Sequence, residues 1–242
     1  MIRVIAALTF RALAGRRRVL IVSLLGALPL VIALLVRASG RASNLDTVTT
    51  TIVDRLVIST IVPLVALVFG TSALGSELDD GTAIYLLAKP IARWRIVAAK
   101  VIVAAGLSVL VTAPAAFAAA AILGAGGLNA AIGWGVGTAV AAALYAVVFL
   151  ALSLVTSRAV AIGLIYVLIW EGVLAGLFPG TRTFSIRQYA LGIADAIGGG
   201  GKAALDERLA GTTAILLAVV VCLIALAIAV RRLQNYEIGE AD

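Results

Sequence analysis

The sequence predicts an all-α membrane protein with six transmembrane helices, and three observations carry that prediction. Of 242 residues, 63% are hydrophobic and only 13% charged, and the mean hydropathy is +1.16. Soluble domains are closer to half apolar and a quarter charged. The apolar residues gather into six runs nearly free of charge: 19–36, 56–74, 96–123, 132–155, 159–178 and 212–230. Each approaches or exceeds the roughly 20 residues that carry a helix through a bilayer core. Basic residues favour alternate ends of these runs, with Arg16, Arg17 and Arg18 just before the first. That bias predicts both termini on the cytoplasmic side.

Residues 1–18 read as an interfacial helix. Arg3, Ala7, Arg11, Ala14 and Arg18 fall at helical spacing on one face, while Ile2, Ile5, Leu8 and Leu13 lie elsewhere. A basic face opposite an apolar one suits an anionic leaflet surface. The first run exceeds a signal-peptide core and is expected to remain as a span. Residues 37–55 read as a polar outer loop, and 75–95 as a long polar inner one. The third run is longer than a crossing requires, so it should tilt, kink at Pro114 or extend beyond the membrane. Pro29 and Pro63 offer further bends, with Ser59, Thr60, Ser108 and Thr112 placed near prolines. The fourth run carries Gly133 and Gly137, a spacing that allows close helix contact. Only Thr156, Ser157 and Arg158 separate it from the fifth, so those two helices should be antiparallel neighbours.

The last outer segment, 179–211, has more structure in its pattern. Ser185 followed by Gln188 fits a capping box. Ile186, Tyr189, Ala190, Ile193 and Ile197 then recur at helical spacing. The glycines at 198–201 should end this helix, and 202–209 could form another. Two short amphipathic helices on, or dipping into, the outer face are predicted between spans five and six.

The composition excludes several chemistries. There is no histidine, the single methionine is the first residue, and Cys222 stands alone. Neither a soft-metal site nor an internal disulfide follows from such a set. The glycines at 198–201 before Lys202 suggest a phosphate loop, but Ala196 and Ala203 stand where it needs Gly and Ser or Thr. Neither a zinc-protease motif nor a base to partner a serine is present. Any ATP must therefore be bound by another chain. The net charge of +7 fits cytoplasmic membrane flanks and predicts no nucleic-acid partner. Glu171 is the one acid within a predicted span. It is costly there unless it faces protein, water or a cation. Two readings stand: an element of a pathway or gate, or a structural hydrogen bond or ion pair, with Arg182 or Arg187 as partners.

The inner loop holds an apolar knob, Tyr85-Leu86-Leu87, among charges: Glu77, Asp79 and Asp80 before it, Lys89, Arg93 and Arg95 after it. Gly81 and Thr82 could start a helical turn and Pro90 ends one. Exposed apolar groups ringed by charge form docking surfaces. The string Glu77, Gly81-Thr82, Leu86-Leu87, Pro90, Arg93 and Lys100 resembles the signature of ABC-2 transporter permeases. Trp170-Glu171, Pro179, Ser185-Ile186 and Tyr189 are similar to members described as copper-enzyme-maturation or antibiotic-exporter permeases.

That resemblance implies a cytoplasmic coupling helix within 77–95 seated on a separate ATPase, and a dimer of permeases with two ATPase subunits. ATP and magnesium would lie on those subunits, leaving no cofactor and no catalysis in this chain. It further implies a bacterial inner membrane and export as the usual direction. The apolar lining suits lipids or hydrophobic drugs, and the scarcity of metal ligands speaks against copper cargo. An ion-gradient transporter or channel using Glu171 is the alternative, and a non-transporting scaffold the third.

Overall fold

A computed structural model describes residues 2–40, 44–75, 92–124, 126–174, 183–198 and 209–235. Among these residues the chain is helical with no strand. The first helix, α1 (Ile2–Leu13), buries Ile5, Thr9 and Leu13 along one line and packs on α4 (Arg93–Leu123). Leu8, Phe10 and Arg11 remain exposed. The helix stops at Ala14–Gly15, and α2 (Arg16–Ser39) starts anew. Arg16, Arg17 and Arg18 therefore open the first spanning helix and do not extend the interfacial one. Gly40, at φ +60, closes α2 in the left-handed region that glycine adopts without strain.

The sequence predicts a polar loop as far as residue 55, but the next helix, α3, already begins at Leu45 and runs to Ser72. Asn44 caps it by accepting the Thr47 N–H at 3.2 Å. The threonines do not hold the segment in solvent, because their polarity is spent locally. Thr49, Thr50 and Thr51 each donate a hydroxyl to the carbonyl four residues back, at 2.8–2.9 Å. From Thr51 to Ile61 the helix is wound in π register. The hydroxyls follow the change: Ser59 and Thr60 donate five residues back, to the carbonyls of Asp54 and Arg55. The α register resumes at Val62. Pro63, which has no N–H, sits at this junction, where the sequence suggested a bend.

Gly124 and Gly126, both at positive φ, help turn α4 into α5 (Gly127–Val155). Helix α5 is the hub of the bundle and packs against α3, α4, α7 (Ile186–Gly198) and α8 (Gly211–Gln234). Small residues make this possible. A Cβ at Gly70 of α3 would sit 2.8 Å from the Ala146 carbonyl oxygen, so the two backbones meet directly. The predicted link of Thr156, Ser157 and Arg158 leads to α6, which is α-helical over Ala159–Ile165 and π-helical over Tyr166–Leu174.

Among the described residues five helices, α2, α3, α4, α5 and α8, are long and apolar enough to cross a membrane. The described apolar part of the fifth predicted span, Ala159–Glu171, is shorter than a crossing requires. Helices α2 and α8 are the least buried of the long ones and expose Leu20, Leu24, Leu216 and Leu223 to the surroundings. Aliphatic side chains turned outward on helices of this length suit contact with lipid. The second outer helix predicted at 202–209 falls largely outside the described residues.

Candidate functional site

The structure brings polar groups together at two levels of the bundle. The deeper level is built around α7. This helix runs antiparallel to α5, with Gly198 beside Ala130, Ala194 beside Gly133 and Ala190 beside Gly137. A Cβ at either Gly133 or Gly137 would collide with a carbonyl oxygen of α7, so the glycine pair is the seat of the helix. Nearly every residue from Ile186 to Ala194 is buried. Helix α7 is thus inserted among the others, with its N-terminal end about halfway along α5. A helix of this length that enters a membrane bundle part-way presents its N–H groups, and the positive end of its dipole, at depth.

Two carboxylates meet that end. Glu171, 2% exposed on the π-helical part of α6, accepts the Ser185 hydroxyl at 2.5 Å and the Ile186 N–H at 2.9 Å. The Tyr166 hydroxyl adds a longer contact at 3.4 Å. Ser185 also accepts the Gln188 N–H at 3.3 Å, as the predicted cap requires. The reciprocal half of the capping box is not made, and the Gln188 side-chain oxygen has no hydrogen-bond partner among the described residues. Glu171, from another helix, instead accepts the next N–H, that of Ile186.

Asp54, in the π-helical part of α3, is the second carboxylate. It receives Arg187 through two bonds of 2.7 Å, Nε to Oδ1 and Nη2 to Oδ2. A two-pronged guanidinium–carboxylate pair fixes geometry as well as charge. Tyr145 of α5, 0% exposed, faces Glu171 without completing a hydrogen bond to it. Tyr189 ties the helix to its approach by donating its hydroxyl to the Thr183 carbonyl at 2.5 Å.

These findings correct two expectations. Glu171 is not the only acid in a spanning helix, because α3 starts early enough to include Asp54. Arg187 pairs with Asp54 and not with Glu171, while Arg182 lies outside the described residues. The helical spacing after Ser185 was a usable signal for α7. Asp54 could have been found from its apolar neighbours Ile52, Val53, Leu56 and Val57, had the preceding threonines not read as loop.

The second level lies at the end of the bundle where α3 and α5 finish and α4 and α6 begin. Of the predicted loop, Glu77, Asp79, Asp80, Gly81, Thr82, Tyr85, Leu86, Leu87, Lys89 and Pro90 fall outside the described residues. Arg93 and Arg95 open α4, and the Arg95 guanidinium lies 5.4 Å from the centre of the Trp94 ring. Lys100, two turns further on, is 1% exposed. Its ammonium donates to the Ala73 carbonyl at 2.6 Å, just past the end of α3. A cation at a helix C-terminus answers both the free carbonyls and the dipole. Lys100 therefore fastens together the two helices that flank the loop. At the same end of α3 is a cleft of about 140 Å³ lined by Gly75 and the hydroxyl-bearing Thr71, Ser72, Ser153, Thr156 and Ser157.

Several apolar helices of membrane-spanning length, a buried ionic cluster and a fastened loop root describe a polytopic membrane protein. Against curated proteins, the chain has no match. A family profile described as ABC-2 family transporter protein matches residues 14–237. That match takes in all but the two ends, and the chain accordingly belongs to the ABC-2 family of transporter proteins, as the membrane component and not a catalytic one.

Proposed function

We propose that the chain is the permease subunit of an ATP-driven exporter in a bacterial inner membrane, with both termini in the cytoplasm. The observation that carries this reading is the family match over residues 14–237, which take in α2 to α8. In this reading two permease copies enclose the pathway and two ATPase subunits hold ATP and magnesium. Each ATPase grips the loop at 77–95. Tyr85, Leu86 and Leu87 supply its apolar contact. Lys89, Arg93 and Arg95 hold its register, and Glu77, Asp79 and Asp80 pair or cap around Gly81, Thr82 and Pro90. Lys100 supports the assignment, since movement of the loop root would pass into α3 and α4 together. Helix α1 lies along the inner leaflet, with Leu8 and Phe10 toward lipid.

Glu171 and α7 shape the exit. Three hydrogen-bond donors already converge on the Glu171 carboxylate, which favours a holding role over ion-gradient chemistry. A push from ATP can shift such a permease only if the docked loop binds differently in its two conformations.

The test is co-purification of a co-expressed partner ATPase in mild detergent. Leu86→Asp together with Leu87→Asp should abolish the association while the permease keeps its elution profile. Full retention of the ATPase would overturn the docking assignment.

A further inference from the structure

The two carboxylates that hold α7 share an unusual setting. Asp54 lies in the π-helical stretch Thr51–Ile61 and Glu171 in the π-helical stretch Tyr166–Leu174. Runs of π register this long are rare, because the backbone prefers the α pattern, and π segments gather at functional sites. Something outside each helix must hold it in the less favoured winding. The contacts that distinguish these stretches go to one partner, the inserted end of α7: Asp54 to Arg187, and Glu171 to Ser185 and Ile186.

The winding and the contacts are geometrically linked. In π register each N–H reaches five residues back, and in α register four. Conversion would rotate one end of the stretch against the other and swing the carboxylate away from α7. The hydroxyls of Ser59 and Thr60 follow the π pattern and would also have to change partner. Packed elements with two discrete arrangements are the kind that switch.

We propose that α7 is a latched plug. Its inner end is held on Asp54 and Glu171 while both stretches are wound in π register, and release of the carboxylates lets both stretches rewind as α-helix and frees α7 toward the side from which it enters. The purpose of the plug, closing an exit, rests on the transport reading; its existence does not. The test therefore uses the purified full-length permease alone, in vesicles of phosphatidylethanolamine and phosphatidylglycerol, and reads no transport.

In a Cys222→Ser background, Ile193→Cys places a thiol on buried α7 and Val22→Cys places one at a buried position in α2. Both are challenged with a membrane-impermeant maleimide from each side. With the latch intact, both thiols should react slowly. Asp54→Asn with Glu171→Gln should speed labelling at position 193 by about tenfold or more and leave position 22 protected. Deletion of Thr60, an exposed residue, removes one residue of the π excess, favours α register in α3 and should expose position 193 with both carboxylates in place. Unchanged labelling at 193 in either variant would overturn the latch. So would a rise at 193 that merely parallels a rise at 22, since the loosening would then be general. A permease that fails to recruit an ATPase but shows the expected labelling would sink the transport reading and leave the latch standing.

Discussion

The two polar levels of the bundle handle buried charge differently. At the inserted end of α7, Arg187 is matched by a carboxylate and Glu171 by hydrogen-bond donors of a helix end, with backbones in contact along the glycine seat. At the loop root, the Lys100 ammonium rests on a backbone carbonyl, at the same end of α3 as an open cleft lined by hydroxyls. The first arrangement resists displacement, because separating its members leaves charges stranded among apolar side chains. The second joins the end of one helix to the side of another, near hydroxyls that line an open cleft. On the proposed transport reading, the contrast would separate a place where the bundle is held from one where movement enters.

The sharpest way to break this contrast is at Arg187. Arg187→Leu strands Asp54, and the loss of one member of a buried pair costs about 3–5 kcal/mol. The purified permease should melt well below the wild type in detergent, and Arg187→Leu combined with Asp54→Leu should recover much of the difference. A single variant as stable as the wild type would remove the charge pairing from the account. Next comes Lys100→Met, which keeps the stem and removes the ammonium from Ala73. A lost charged hydrogen bond is worth about 1.5–3 kcal/mol. The larger expected effect is functional: an associated ATPase should stay bound while its stimulation by cargo falls. Normal stimulation would show that the joint carries no movement. Smallest is Ser185→Ala, which removes the cap hydroxyl but leaves the Ile186 N–H on Glu171. Cap losses run at about 1 kcal/mol, readable as a modest drop in melting temperature.

Much of the bundle was legible in its apolar runs, because length and lack of charge are direct requirements for crossing a bilayer. The start of α3 was not. Thr47, Thr49, Thr50 and Thr51 read as polar, yet a threonine in a helix can turn its hydroxyl onto its own backbone, and Thr49, Thr50 and Thr51 do so. That misreading also hid Asp54. The Ser185 cap was visible because its partners are near in sequence, whereas the bond from the Ile186 N–H to Glu171 was not, since it depends on a separate helix. The Asp54–Arg187 pair joins positions 133 residues apart, and no periodicity marks such a meeting. The π winding is equally silent, because apolar stretches like 51–61 bury their residues in either register. Asp79, Tyr85, Leu86 and the rest of the loop at 77–90 retain only the signal carried by their pattern.

The antiparallel seat of α7 also constrains how the protein is made. With 13 residues, the helix is about 20 Å long and too short to insert by itself. Its glycine seat is on α5, and α8, the wall on its other side, follows it in the chain. Its seat and both carboxylate partners thus precede it in the chain, while one wall of its slot comes after it. The slot is therefore complete only when segments on both sides of α7 in the sequence have come together around it.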